Sequence, residues 1–229
     1  MLNDPAEALR AVPLFRAVPE AELRALAPSI RERRFPKGTL ILSQGDAGEA
    51  LFLIRAGQVK VTIASEDGRE VIFSVLGPGS FFGEMALLDD EPRSAHVIAM
   101  EETTLLQLRR EDFRARLRSS PDLGVLLLKE LSRRLRRADD SIAGLMLLDV
   151  NGRVARLLLQ LAREEGGESG TRITRRITHA SIGQMAGASR EKVSRTMRNL
   201  VLRNLIAVTR REIVLLDSAA LRLAAQQAG

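Results

Sequence analysis

Between Pro121 and Leu148 the chain carries apolar residues at Leu128, Leu131, Leu135, Ala138, Ile142 and Leu145. The spacings alternate three and four, the period of a helix that buries one narrow stripe. Ser120-Pro121 supplies a start: a hydroxyl N-cap, then proline at the first helical position, where its missing N–H costs nothing. Arg133, Arg134, Arg136, Arg137, Asp139 and Asp140 keep the other faces wet. At roughly 1.5 Å per residue the helix runs some 40 Å, about the diameter of a small domain. A stripe that long has to be covered, by a core of its own chain or by a twofold copy of itself. Its narrowness and regularity favour the copy, so a homodimer is expected with those six residues in the interface.

The 229 residues allow one large domain or two modest ones, and 45% apolar content supports real cores. The absence of cysteine excludes disulfides, thiolate-held zinc, cysteine nucleophiles and cysteine-held iron–sulfur clusters. The opening MLNDPAEALR lacks the apolar segment of a signal peptide, and no apolar run approaches a membrane span of about 18–20 residues. A cytoplasmic protein without a membrane partner is expected. Charge is unevenly placed. Residues 1–148 hold 21 basic against 22 acidic side chains, whereas residues 149–229 hold 14 against 7. A net +7 confined to the last third is the electrostatic footprint of a nucleic-acid partner.

Asp4-Pro5 caps a first short helix, and a second after Pro19 places Leu23, Leu26 and Ile30 on one face. From Phe35 to Leu108, short alternating or β-branched runs are punctuated by Gly38, Gly45, Gly48, Gly57, Gly68, Gly77, Gly79 and Gly83. The runs are TLILSQ, ALFLIRA, QVKVTIAS, EVIFSVL, AHVIAM and TTLLQL. That texture predicts a compact antiparallel barrel or sandwich, with hairpin turns at Gly57-Gln58 and Asp67-Gly68. Beyond the long helix, Gly152 in LDVNG is expected to break the register before a helix from Arg153 to Arg163, with Val154, Leu157, Leu158 and Leu161 inward. RITRRITH reads as a short strand pair, and LIAVTRREIVLLD as two strands around an Arg-rich turn. SAALRLAAQQ reads as a last amphipathic turn.

Two constellations carry chemistry. In FFGEMALLDDEPRSAHV a short helix, EMALL, follows Gly83, and such a start presents free backbone N–H groups to an anion. Arg93 can grip a phosphate with a planar fork, and Glu84 can accept from a sugar hydroxyl. Together they suit a ribose phosphate. An ion pair between Glu84 and Arg93 over a turn is the plainer alternative. In THASIGQMAGASREKVSRTMRNL, Ile182 and Met185 face inward from a first helix, Ala186-Gly187-Ala188 turns, and Val193, Met197 and Leu200 face inward from a second. Thr178 and Ser189 cap the two helices. Arg190, Glu191, Ser194, Arg195 and Arg198 are left outside, a set able to read guanine O6/N7 and cytosine N4 in a major groove.

FGEMALLDDEPRSA resembles the phosphate-binding cassette of cyclic-nucleotide-binding domains. With the glycine-punctuated strands, the long helix and the C-terminal third, residues 12–217 resemble the cyclic AMP receptor protein (CRP/FNR) superfamily of bacterial transcription regulators. The resemblance implies an α+β fold: an N-terminal β-roll over residues 1–120, a long dimerisation helix over 121–148, and a winged helix-turn-helix over 149–229. It places Gly83, Glu84, Met85, Ala86, Arg93 and Ser94 around a cyclic nucleotide. Two hydroxyl residues that meet adenine in cyclic-AMP-responsive members correspond to Ala138 and Asp139. Cyclic AMP is thus the expected effector, with cyclic GMP, cyclic di-GMP or no effector as alternatives. No metal, haem or iron–sulfur cluster is expected; haem would have to use His96.

SREKVSR is similar to the recognition helix of the same branch, which implies base contacts by Arg190, Glu191 and Arg195 in a palindrome with TGTGA-like half-sites. Thr178 and His179 fall at phosphate contacts, and Arg210 in the wing is a further backbone contact. The loop Gly166 to Thr171 lies where the family touches RNA polymerase, an expected partner beside DNA and a second copy of the chain. A different class of function, metal-dependent cyclic-nucleotide hydrolysis, would have to be built from Glu84, Asp89, Asp90, Glu91 and His96. With two histidines and no paired ligand spacing, an enzyme is not expected.

Overall fold

The computed structural model describes residues 5–10, 12–16, 18–64, 70–167, 170–175, 177–209 and 211–226, with Pro5, Ala6, Ala8 and Leu14 as backbone only. Outside these, wholly or in part, fall the cap at Asp4, the turn at Asp67-Gly68, the loop Gly166 to Thr171 and Arg210. The chain divides into two compact units, residues 1–133 and 134–229.

Among the described residues, the first unit begins with α1 (Pro5–Arg10) and α2 (Glu20–Leu26) and continues through eight strands. These are β1 (Ile30–Phe35), β2 (Leu40–Leu42), β3 (Ala50–Ala56), β4 (Val59–Ala64), β5 (Glu70–Leu76), β6 (Phe81–Phe82), β7 (His96–Ala99) and β8 (Thr103–Arg109). They form two antiparallel four-stranded sheets, ordered β1-β8-β3-β6 and β2-β7-β4-β5. The short helix α3 (Met85–Leu88) interrupts between β6 and β7, and α4 (Arg110–Ser119) follows β8.

Strand β3 explains the two-layer arrangement, because its first five residues are all buried. Ala50, Phe52 and Ile54 meet Val59, Phe82, Val97 and Leu105 in one core. Leu51 and Leu53, pointing the other way with the period of two, join Leu9, Phe15, Leu23, Leu108, Phe113, Leu123 and Leu127 in another. Phe52 stacks on Phe82 at 5.4 Å between centroids.

Two sequence expectations change here. Gly57 does not turn a hairpin, since β3 and β4 lie in different sheets and do not pair. It carries the chain across, at φ +83°, where an added Cβ would sit 2.5 Å from the Glu102 carbonyl oxygen. Ile30 begins β1 rather than continuing α2, although it packs on the same core.

Helix α5 (Pro121–Leu147) is continuous over 27 residues. Its first half contributes Leu123 and Leu127 to the core of the first unit. Exposed along it are Leu128 at 65%, Leu135 at 64% and Ile142 at 55%, each seven residues from the next. Ala138 and Leu145 are exposed as well. Leu131 is the exception: half-buried, it packs against the core of its own unit.

The second unit contains α6 (Val150–Gly166), β9 (Arg172–Ile173), α7 (His179–Ala186), α8 (Arg190–Leu202), β10 (Ile206–Val208), β11 (Ile213–Leu215) and α9 (Ser218–Ala224). Gly152 does not break a helix. The break falls at Asp149, whose carboxylate caps α6 by accepting from the Gly152 N–H at 2.7 Å. Among the described residues of RITRRITH there is one strand, β9, which pairs with β11. The sheet order is β10-β11-β9, and the core gathers Val154, Leu158, Leu161, Ile182, Val193, Met197, Leu200, Ile206, Leu215 and Leu221. Met185 is only half-buried; Gly183 and Ala186 take the inward positions beside Ile182. Among the described residues no helix is long and apolar enough to cross a membrane.

Candidate functional site

In the first unit the site is built on the connection between β6 and β7. Gly83, at φ +83°, swings the backbone into α3, and an added Cβ there would lie 2.7 Å from the Arg93 guanidinium. Glycine is therefore required twice, by conformation and by space. Arg93 is 5% exposed. Its Nη1 donates to the Gly83 carbonyl at 2.6 Å and its Nη2 to the Ala50 carbonyl at 2.8 Å. Its backbone pairs with the loop before β3: Arg93 N donates to Asp46 O and Gly45 N to Arg93 O, both at 2.9 Å.

Its third nitrogen, Nε, is buried without a hydrogen-bond partner. Burial destabilises the charged guanidinium, and the nearby Arg110 cation adds to it, lowering the pKa despite Glu84, Asp46 and Glu49. A buried cation with an unused donor and a like charge beside it is stabilised by any anion that reaches it.

Around it, Glu84 and Ala86 are buried, Met85 is exposed, and exposed Ser94 lies with Oγ 3.8 Å from the Met85 sulfur. The hydroxyl and guanidinium of consecutive residues suit a phosphate. α3 has only four residues and Glu84 is already helical in backbone, so the guanidinium, and not a helix terminus, is the group here suited to an anion. Ala138 and Asp139 are exposed on α5 in the second unit.

The support of this insert comes from two arginines of α4 that stand in no motif. Arg110 Nε donates to the Gly48 carbonyl at 2.7 Å and its Nη2 to the Ala86 carbonyl at 2.9 Å. Arg114 Nε donates to the Leu87 carbonyl at 2.6 Å. Both guanidiniums also reach Asp90 Oδ1, Arg114 at 2.6 Å. The only sequence signal was their i, i+4 spacing, which puts both on one side of α4.

The residues proposed for metal-dependent hydrolysis do not converge. Asp90 serves the arginines, Glu84 is buried, and His96 Nδ1 accepts from the Gln44 N–H at 3.1 Å. Among the described residues no three metal-binding side chains come together.

In the second unit, Thr178 Oγ1 caps α7 by accepting from Ser181 N, and Ser189 Oγ caps α8 by accepting from Lys192 N. Gly187 ends α7 in the left-handed region at φ +61°. Arg153 fastens this turn from α6: Nε donates to Ala186 O at 2.8 Å, Nη1 to Leu148 O at 2.9 Å, and Nη2 to Gly187 O at 3.3 Å. On the inner side of α8, Thr196 donates to Asn151 Oδ1 at 2.7 Å.

With Val193, Met197 and Leu200 buried, Arg190, Glu191, Ser194, Arg195 and Arg198 line one open depression. Its own backbone N–H and the Ser189 hydroxyl hold the Glu191 carboxyl below the ordinary carboxylate range. His179 is half-buried at the start of α7. The wing closes on Thr209, whose Oγ1 accepts from Arg211 N at 3.2 Å and Glu212 N at 3.1 Å. An arginine-lined helix face beside a wing can enter a major groove while the wing meets the backbone.

Residues 32–120 match the family model of the cyclic nucleotide-binding domain, and residues 152–224 that of the Crp-like helix-turn-helix domain. The chain is 37% identical to the cyclic AMP receptor protein of Thermus thermophilus, over 94% of this chain and 100% of that one. It is 33% identical to the CRP-like cAMP-activated global transcriptional regulator of Mycobacterium tuberculosis, over 93% of this chain and 96% of that one. Among solved structures, FixK2 from Bradyrhizobium japonicum shares the fold, with TM-score 0.77 and 22% identity over 87% of this chain and 99% of that one.

Proposed function

The chain belongs to the CRP/FNR family of transcription regulators, and from that premise we propose a homodimer, acting in the cytoplasm, that couples a cyclic nucleotide to the reading of a palindromic operator. It is a DNA-binding regulator and not an enzyme, as its relatives are. The observation that carries the effector half is Arg93, buried with Nε unused in the domain that matches the cyclic-nucleotide-binding model.

In the proposed mechanism Arg93 and Ser94 hold the cyclic phosphate, and Gly83, Glu84, Met85 and Ala86 surround the ribose. Ala138 and Asp139 approach the base, and the exposed stripe of α5 pairs with its copy. Occupancy shifts the population of dimers toward a geometry in which two α8 helices meet successive major grooves about 34 Å apart. Arg190, Glu191 and Arg195 read bases, with Thr178, His179, Ser189, Ser194, Arg198 and Arg210 supporting the backbone contact. RNA polymerase is the further partner, through the loop Gly166 to Thr171.

Cyclic AMP leads because both relatives above are named for it. Calorimetric titration of the full-length protein with cyclic AMP, cyclic GMP and cyclic di-GMP tests the assignment. Binding of cyclic AMP that sharpens protection of a TGTGA-like palindrome is the expected result. A guanine preference would be explained by the acceptor Asp139. No binding by any of the three removes the effector half and leaves a constitutive DNA-binding protein.

A further inference from the structure

The insert that carries the effector site is held by a second pair of arginines whose geometry assigns them a task of their own. Asp90, the residue that ends the turn after α3, adopts φ +64°, a conformation that costs a non-glycine residue and persists only where surrounding contacts impose it. What imposes it is visible. Its carboxylate accepts from Arg110 Nη1 and, at 2.6 Å, from Arg114 Nη2. The Arg114 hydrogen bond, with that of Arg110, holds the Asp90 carboxyl below its ordinary range, so the latch is charged throughout neutral pH.

The same guanidiniums spend their other donors on the insert and on the loop facing it. Arg114 takes Leu87 O at 2.6 Å; Arg110 takes Ala86 O at 2.9 Å and Gly48 O at 2.7 Å. The Arg110 backbone N–H adds Glu49 O at 2.8 Å. Gly48 and Ala86 are thereby drawn so close that an added Cβ on Gly48 would sit 2.5 Å from Ala86 Cβ and 3.4 Å from Arg93 Cζ. The Arg93 guanidinium is therefore gripped indirectly: the carbonyls of Ala50 and Gly83 that hold it belong to the two segments that Arg110 ties together.

We infer that Asp90, Arg110 and Arg114 form a latch that sets the pose of the effector insert from α4 without touching the effector, making all three positioning residues for Arg93. This rests on the reading of Arg93 as the phosphate clamp. Its consequence is that effector affinity is written partly on α4, the helix that leads directly into α5.

The test uses the full-length protein with Asp90→Asn, which keeps a side chain tolerant of the left-handed region but removes the charge. Asp90→Gly relieves the backbone strain while deleting the carboxylate. Two readouts are taken: calorimetric affinity for cyclic AMP, and hydrogen exchange of the Leu87, Leu88 and Asp89 amides with the β8 amides as internal reference. Both variants are expected to bind about tenfold more weakly. Both should also exchange at least about tenfold faster at 87–89, with β8 unchanged.

The double variant Asp90→Asn with Arg114→Gln should lose no more than the larger single loss, because the contacts form one unit. Wild-type affinity in both Asp90 variants overturns the inference, as does a rise in exchange spread evenly into β8. If the wild type binds no cyclic nucleotide, the clamp reading fails separately. The exchange measurement then still decides the latch, unchanged rates at 87–89 sinking it.

Discussion

Arg93 and Arg195 are the same residue type placed under opposite conditions. Arg93 is buried, with two of its three kinds of donor already bonded to backbone carbonyls. Arg195 lies exposed on α8 beside Arg190 and Arg198, lining an open depression. The first has had its desolvation cost met by folding, so a ligand gains a preorganised cation in a low-dielectric setting. The others keep their water, so any binding through them should be salt-sensitive and adaptable. The same division runs down α5, where Leu123 and Leu127 are completed by their own core and Leu128, Leu135 and Ile142 are not. Groups finished by the fold and groups finished by a partner should respond differently to the same kind of change.

The largest effect should separate two leucines one helical turn apart. Leu131→Asp puts a charge against a folded core and should cost several kcal/mol of the first unit's stability, about 3–5, read as a fall in denaturation midpoint. Leu135→Asp should leave the isolated fold intact and instead shift the sedimentation profile to monomer, with loss of operator binding. A Leu135→Asp protein that stays dimeric would place the seam elsewhere.

Next, Arg93→Leu should weaken cyclic AMP binding by about 2–3 kcal/mol or more, near a hundredfold, while the dimer persists. Raising salt should change the wild-type effector affinity far less than it changes operator affinity, since a buried pair is poorly screened.

Smaller losses belong to the exposed face. Arg190→Ala and Arg195→Ala should each cost about 1–3 kcal/mol on a matched TGTGA-like site and relax preference at one guanine. Arg198→Ala should weaken matched and scrambled sites alike and flatten the salt slope by about one. A uniform loss for Arg190→Ala would move that residue to the backbone class.

The smallest effect concerns Glu191. A carboxylate held below its ordinary range is fully charged above that range, and any contribution it makes is lost only as pH falls through the depressed value. Operator affinities of the wild type and Glu191→Gln should therefore run parallel from about pH 5.5 to 8. Curves that diverge there would show the carboxylate titrating in the working range.

Much of this was legible because repeated patterns report backbone period. The heptad spacing foretold α5, short alternating or β-branched runs between glycines foretold β3, β4, β5 and β8, and hydroxyl caps foretold the starts of α7 and α8. What escaped had no such period. Strand β1, IRERRF, is mostly charged and lies at a sheet edge, where one face needs no apolar residues. Strand β6 is two residues long. Gly57 looked like a hairpin because local sequence does not say which sheet the next strand joins. Gly152 looked like a breaker, but in the first turn of α6 its N–H is the donor that the Asp149 cap needs. At the effector site the motif residues were visible as a string, whereas Arg110 and Arg114 come from 17 and 21 positions beyond Arg93 and act on carbonyls, which leave no signature in sequence.

The order of strands in the small sheet governs when the operator-reading unit comes into being as the chain is made. β11 is the middle strand, between β10 and β9, yet it is the last of the three to be synthesised, and its partner β9 begins some 40 residues earlier. Until β11 emerges, β9 has no neighbour and β10 no register, so the wing cannot exist on a nascent chain halted before Leu215. The sheets of the first unit close much earlier, once β8 at Thr103–Arg109 is available to pair with β1 and β3. Synthesis thus completes the strands of the domain that matches the cyclic nucleotide-binding model before those of the helix-turn-helix unit, and a product terminated before β11 should lack the wing whatever its first unit binds.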